Sequence, residues 1–257
     1  MKRLLLPIAL AFALALGAMP AGAILNGGPD GTNHPYVGMV TDLGFDSVCS
    51  GAAISPTKVI TAAHCFETGP GTPVLVTFDP TGFDNPAAFV SGTWTPHPQS
   101  CLPCGQGLVE FDLNDVAVVI LDAPIVLPEY GQLPSLGQAA AQPQKQEISL
   151  VGYGVQDRLK KLDPGEAFTR HFARAQLVQS NDRLSSDFLK LSANPSQGKG
   201  GMCFGDSGGP VILEGAGLGS DTIVGVNSFL TNGNCAGVTY SNRIDITSTL
   251  GFISSIN

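Results

Sequence analysis

The sequence predicts an all-β protein built from two β-barrels. Short segments of alternating apolar and polar residues recur along the chain, as in the predicted strand that carries Val74, Val76 and Phe78. Turn signals rich in glycine and proline separate these segments at short intervals, which favours barrels over βαβ units. The chain contains 32 Gly and 19 Pro, and only 13% of its residues are charged. This composition suits a β-protein with many loops.

Residues 1–23 are predicted to be a secretory signal peptide. Lys2 and Arg3 supply the positive start, a short apolar core follows, and Ala21-Gly22-Ala23 forms a small-residue cleavage site. Cleavage would leave a chain that begins at Ile24, with a formal charge of −10, since two positive charges are lost from a chain of charge −8. Such a charge argues against nucleic acid or an anionic membrane as a partner. We therefore expect a secreted protein; a retained membrane anchor is the alternative.

Strand signals continue on both sides of a central connection. Three further apolar segments predict strands, at residues 116–121, 148–152 and 222–226. A stretch rich in Pro, Gln and Ala, residues 127–144, separates the two halves of the chain. Residues 24–126 are therefore predicted to form one barrel and residues 144–244 the other. A closing helix is predicted over residues 246–256, because apolar residues repeat there at helical spacing: Ile246, Leu250 and Ile253.

Three motifs carry residues that suit nucleophilic catalysis. Ser207 lies among glycines in Gly205-Asp206-Ser207-Gly208-Gly209-Pro210, His64 precedes Cys65, and Asp115 opens an apolar strand. A serine hydroxyl is a poor nucleophile at neutral pH, so it needs a base and a third group that orients the base. In this order, with spacings of 51 and 92 residues, the motifs resemble those of the trypsin/chymotrypsin-like serine peptidases. The resemblance covers essentially all of residues 24–257.

The resemblance implies a chymotrypsin-like fold of two six-stranded antiparallel β-barrels, with the active site at their interface. It also implies a serine endopeptidase in which Ser207 is the nucleophile, His64 the base and Asp115 the orienting carboxylate. The backbone N–H groups of Gly205 and Ser207 would form the oxyanion hole. Asp112 is an alternative third member, but Asp115 is preferred because the apolar strand follows it directly. We expect no cofactor and no metal ion.

The segment Ile24-Leu25-Asn26-Gly27-Gly28 resembles the mature start of this family. The resemblance implies that the α-ammonium group of Ile24 pairs with Asp206 and so orders the oxyanion hole and the specificity pocket. The predicted signal cleavage site coincides with this start. We therefore expect signal peptidase to generate the activating terminus without a zymogen stage. In the alternative interpretation, Asp206 hydrogen-bonds only its own turn.

Six cysteines in a secreted chain indicate three disulfides, although their spacing does not determine the pairing. The resemblance supplies two pairs, Cys49–Cys65 and Cys203–Cys235. Cys101 and Cys104 remain, in the sequence Cys-Leu-Pro-Cys. They could form a local disulfide, a redox pair or half of a zinc site. The disulfide is favoured because the predicted destination is oxidising.

The resemblance also places the residues that would contact substrate. Gly201, six residues before the nucleophile, would lie at the base of the specificity pocket, so no carboxylate would select Arg or Lys there. Met202 would line the wall. Ser228-Phe229-Leu230 stands where relatives have Ser-Trp-Gly, a strand that pairs with the substrate backbone, and Leu230 would shorten the pocket. We expect a preference for small or medium apolar side chains; alternatively, Leu230 belongs to the strand core and the pocket is deeper.

Two other function classes compete with a secreted endopeptidase. A non-catalytic or weakly active binding protein on the same fold is the main alternative, since Leu230 could block the pocket. A carboxylester hydrolase does not fit, because Ser207 lacks the strand-to-helix setting of the Gly-x-Ser-x-Gly motif in that fold. The chain also lacks the Ser, Asp, His order of that fold. We expect a monomer whose partners are protein or peptide substrates and proteinaceous inhibitors.

Overall fold

A computed structural model describes residues 24, 26–66, 69–101, 113–155, 168–179, 187–217 and 219–257. The predicted signal peptide lies outside these residues, as do Asp112 and Cys104. The described residues form two closed antiparallel β-barrels and a C-terminal α-helix. This confirms the fold class that the sequence predicts.

The first barrel consists of six antiparallel strands, β2 to β7. They are Val37–Asp42 (β2), Val48–Ala53 (β3), Lys58–Thr61 (β4), Thr72–Thr77 (β5), Val90–Pro96 (β6) and Ala117–Leu121 (β7). Their order around the barrel is β2-β3-β4-β7-β6-β5, and β5 returns to β2. In β5, Val74 and Val76 are fully buried, as the alternating pattern predicts.

The second barrel also closes from six antiparallel strands. They are Glu147–Gly152 (β8), His171–Gln179 (β9), Phe188–Ala193 (β10), Pro210–Leu213 (β11), Thr222–Leu230 (β12) and Gly237–Arg243 (β13). Their order is β8-β9-β10-β13-β12-β11, and β11 pairs back with β8. The predicted strands at 148–152 and 222–226 fall within β8 and β12.

The N-terminal segment joins the second barrel, although the sequence assigned it to the first half. A short strand, Gly28–Pro29 (β1), pairs with Phe172 and His171 at the edge of β9. The side chain of Ile24 is fully buried in the core of the second barrel. Burial of this side chain, together with the pairing to β9, explains why the segment crosses to the other half.

The C-terminal helix, Thr247–Ser255 (α1), closes the chain on the first barrel. It was predicted over 246–256. Phe252 and Ile253 are buried on its inner face and join the core of the first barrel. The Lys58 ammonium group donates to the backbone oxygen of Ile253 at 3.1 Å, near the last turn. Cations are favourable at this end of a helix because its carbonyl groups carry negative partial charge.

A buried arginine links the two barrels and the N-terminal segment. The Arg170 guanidinium donates to Asp30 in the N-terminal segment at 3.0 Å, and to the backbone oxygens of Val37 and Phe78 in the first barrel at 3.0 and 3.1 Å. Tyr153, which follows β8, donates to the Val37 oxygen at 3.3 Å. These contacts hold the barrels in one relative position, so residues at their junction are rigidly placed. No helix within the described ranges is long and apolar enough to cross a bilayer.

Candidate active site

Ser207, His64 and Asp115 come together at the junction of the barrels. His64 lies on a 3-10 helix, Ala63–Cys65, directly after β4. Its ring Nε2 is 2.8 Å from the Ser207 hydroxyl oxygen, and its Nδ1 is 2.6 Å from Asp115 Oδ2. The three side chains therefore form one continuous hydrogen-bonded chain. Both contacts are short enough for proton transfer and for charge-assisted hydrogen bonding.

The carboxylate of Asp115 is completely buried and is held from three sides. Its Oδ1 accepts a hydrogen bond from the backbone N–H of His64 at 2.8 Å. Asp115 therefore holds both the ring and the backbone of His64. The hydroxyl of Ser228 donates to Oδ2 at 2.5 Å. Burial by itself would raise the pKa of Asp115, but the His64 ring and these hydrogen bonds hold it below the ordinary value. Asp115 is therefore ionised beside His64 at neutral pH.

The turn that carries Ser207 depends on two glycines in left-handed backbone. Gly205 has φ +93° and Gly208 has φ +80°. A Cβ on Gly205 would lie 2.8 Å from the Cα of Gly154, and one on Gly208 would lie 2.2 Å from Thr61 Oγ1. The sequence could therefore form this turn only with glycine at both positions.

The turn leaves two backbone donors available beside the nucleophile. The N–H groups of Gly205 and Ser207 donate to no acceptor among the residues that the structure describes. Ser50 holds the turn from the first barrel: its hydroxyl donates to the Gly205 oxygen at 2.9 Å, and its N–H donates to the Ser207 oxygen at 2.7 Å. Two free N–H groups in a fixed turn could stabilise negative charge on a reacting oxygen.

Asp206, between these two residues, is fully buried. Its two oxygens accept the backbone N–H groups of Gly154 and Cys203, each at 2.8 Å. Burial raises the pKa of Asp206 to about 7, although these two hydrogen bonds favour the charged form. Within the described ranges, no ion pair involves Asp206. A buried carboxyl group of this kind would be stabilised in its charged form by a cation.

A cavity of about 550 Å³ opens beside Ser207. Met202, Ser228 and Leu230 line it, as the resemblance implies, and Phe229 and Phe204 add aromatic walls. Gly201 was expected at the base of this cavity. Gly201 is not among the described residues that line the cavity, and a Cβ added to it would lie 2.3 Å from the Cβ of Ala193.

Two disulfides brace the site. Cys49–Cys65 joins β3 to the helix of His64, and Cys203–Cys235 joins the Ser207 turn to the segment after β12. Both pairings are confirmed. Cys101 is disulfide-bonded, but Cys104 lies outside the described residues, so the pairing of these two remains a prediction. In the described part of the chain, no group of three His, Cys, Asp or Glu side chains could hold a metal ion.

Two contributors to the site were not recognised in the sequence. Ser228 was assigned only to the substrate strand, yet its hydroxyl contacts the Asp115 carboxylate. Ser50 was not singled out, although it bonds both Gly205 and Ser207. Ser50 directly follows Cys49, and a short polar residue next to a predicted disulfide at the site was the available signal.

Two closed antiparallel barrels with a serine–histidine contact at their junction are the arrangement of serine endopeptidases. A sequence model of the trypsin family matches residues 27–253, and the chain therefore belongs to the trypsin family of serine endopeptidases. The chain is similar to coagulation factor XII of Cavia porcellus, with 29% identity over 209 residues. The match covers 70% of this chain and 31% of that protein, so the chain spans less than a third of that relative.

Proposed function

We propose that this protein is a secreted serine endopeptidase in which Ser207, His64 and Asp115 form the catalytic triad. The observation that carries the proposal is the continuous hydrogen-bonded chain from the Ser207 hydroxyl through the His64 ring to the buried Asp115 carboxylate. Disulfides and the predicted signal peptide support secretion. We expect the protein to be a monomer whose partners are protein or peptide substrates and proteinaceous inhibitors.

Each step of the mechanism is assigned to a group in this chain. His64 Nε2 accepts the Ser207 proton as the hydroxyl oxygen attacks the substrate carbonyl carbon. Asp115 stabilises the resulting imidazolium. The N–H groups of Gly205 and Ser207 bind the oxyanion, and one such donor typically contributes about 3–4 kcal/mol to lowering the barrier. The imidazolium then protonates the leaving amine, and water hydrolyses the acyl-enzyme by the reverse sequence of proton transfers.

We further propose that the mature chain begins at Ile24 and that its ammonium group pairs with Asp206. Two observations support this. The side chain of Ile24 is already buried in the second barrel, and its backbone has φ +60°. That conformation is strained for a β-branched residue. Cleavage before Ile24 would remove the strain, because φ involves the carbonyl carbon of residue 23. The buried Asp206 would then gain the cation that favours its charged form.

The expected specificity is for small or medium apolar side chains before the cut. Leu230 and Met202 line the cavity. Among the described residues that line the cavity, none is a carboxylate that could pair with Arg or Lys. Leu230→Gly should therefore extend the preference to larger side chains. A series of peptide anilides that differ only in the residue before the cut would measure this, and a wild-type preference for Arg or Lys would contradict it.

Covalent labelling with a fluorophosphonate probe tests the activated serine. The secreted protein should be labelled, and Ser207→Ala should abolish labelling. Ser254→Ala is a matched control, since this exposed serine lies on the C-terminal helix and should not affect labelling. A folded protein that begins at Ile24 and is not labelled would contradict the proposal. It would favour the second candidate, a binding protein, which the position of the Leu230 side chain in the cavity lining supports.

A further inference from the structure

A second cavity, of about 410 Å³, opens on the second barrel. Its volume lies within the range of about 300–1,000 Å³ that is typical of ligand pockets. None of the described residues that line it also lines the cavity beside Ser207. Six polar residues of its lining are named the amide cleft: Gln144, Lys145, Gln176, Ser192, Asn194 and Gln197.

Strands β9 and β10 present polar side chains to this cavity. Ala175 and Leu177 are buried in the core of the second barrel, so Gln176 between them faces outward. Ser192 lies directly opposite Gln176 on β10. Because cross-strand neighbours share one face of a sheet, the amide of Gln176 and the hydroxyl of Ser192 lie side by side in the wall of the cavity.

Most polar groups of the amide cleft are available to a ligand. Within the described ranges, the side chains of Gln176, Ser192 and Gln197 make no hydrogen bond. The side-chain oxygen of Asn194 accepts the backbone N–H and the hydroxyl of Ser196, at 3.2 and 2.7 Å. These two contacts fix the orientation of the Asn194 amide and leave its NH₂ group to donate elsewhere.

Lys145 supplies a positive charge from a strained position. Its backbone has φ +64°, which glycine or asparagine ordinarily adopts, and its N–H donates to the Leu177 oxygen at 2.8 Å. No carboxylate among the described residues pairs with the Lys145 ammonium group, and the nearby Glu147 is bound by Lys199 instead. A lysine held in such a conformation favours a role for its side chain over a role in stability.

The chemistry of the lining points to a polar ligand with few charges. Pockets for most ligands are lined mainly by apolar side chains, whereas Leu177 and Val178 are the apolar residues here. Side-chain amides and hydroxyls both donate and accept, as the hydroxyl groups of a sugar do. One unpaired lysine suits one carboxylate, which it can bind by a charge-assisted hydrogen bond. The formal charge of −8 on the whole chain disfavours a dense polyanion.

We propose that the amide cleft binds an oligosaccharide that carries a carboxylate group. The amides and the Ser192 hydroxyl bind the sugar hydroxyls, and Lys145 binds the carboxylate. The inference goes beyond the proposed function and does not depend on it. Such a site would attach the protein to acidic glycans while the cavity beside Ser207 stays open to substrate.

Calorimetric titration with sialyllactose, a trisaccharide that carries one carboxylate, tests the site directly. The secreted protein should bind it saturably, and more weakly at high salt. Maltotriose, a neutral trisaccharide, should bind about tenfold more weakly, because it lacks the charge-assisted hydrogen bond to Lys145. No binding of sialyllactose, or equal binding of the two sugars, would overturn the proposal.

Two substitutions assign any binding to the amide cleft. Lys145→Asn removes the charge and keeps a residue that tolerates positive φ, so it should weaken sialyllactose binding about tenfold and leave maltotriose binding unchanged. Gln176→Ala should weaken the binding of both sugars. Gln132→Ala is the matched control, since this exposed glutamine lies outside the cavity. Sialyllactose binding that either cleft variant leaves unchanged would overturn the proposal. Equally tight binding of the peptide Gly-Glu-Gly would assign the cleft to acidic peptides instead.

Discussion

A chain that still carries residues before Ile24 should have a lower free energy of unfolding at pH 7.5 than at pH 5. The cause is Asp206, whose pKa burial raises from 3.8 to about 7. The folded chain then holds a proton that the unfolded chain releases, so this stabilisation is complete below the unfolded pKa and is lost as the pH rises through the folded pKa. The full effect is about 4 kcal/mol, and about 2–3 kcal/mol of it is lost between pH 5 and 7.5.

Release of the Ile24 terminus should remove most of this pH dependence. The ammonium group would pair with the Asp206 carboxylate, and an opposite charge lowers the pKa of a buried carboxyl group. The assay uses a Ser207→Ala chain with a fusion directly before Ile24. Urea unfolding is measured at both pH values before and after a protease removes the fusion without leaving extra residues.

The test compares how far the free energy of unfolding falls between pH 5 and 7.5 in the fused chain and in the released chain. We expect the free energy of unfolding to fall by about 2–3 kcal/mol in the fused chain and by less than about 1 kcal/mol in the released chain. Asp206→Asn is the control, since the free energy of unfolding should then depend on pH equally in the fused and the released chain. A fused chain whose stability does not fall over this range would refute the pKa argument. Equal losses in both forms would refute the pairing of Ile24 with Asp206.

Three further substitutions test the site and the fold. Ser228→Ala should lower kcat/KM on a peptide substrate about ten- to hundredfold, because a hydrogen bond to a charged group contributes about 1.5–3 kcal/mol. Gly205→Ala should slow fluorophosphonate labelling about 100-fold, because the oxyanion N–H is displaced. Arg170→Met should lower the free energy of unfolding, measured in urea, by about 3–5 kcal/mol, since Asp30 stays buried without its guanidinium partner. An unchanged kcat/KM, labelling rate or free energy of unfolding would contradict the corresponding contact.

The strands and the motif residues were predictable because their signals are local. Alternation identifies the buried positions Val74 and Val76 from neighbouring residues alone, and the structure buries both. The His64 and Ser207 motifs are short runs of neighbouring residues, so they can be recognised without the rest of the chain. The role of Gly201 stays a prediction, because the space beside it depends on Ala193, on another strand. Nothing near Gly201 in the sequence indicates that contact.

The order of His64, Asp115 and Ser207, the alternating strands and the glycines of the nucleophile turn belong to the sequence itself, because each depends on residue type and short spacing. Only the tertiary structure decided the rest. It brought the Ser228 hydroxyl to Asp115 across 113 positions, and it gathered four phenylalanines from three loops into one cluster. Such contacts arise when barrels close and pack, and the resulting distances depend on the whole chain.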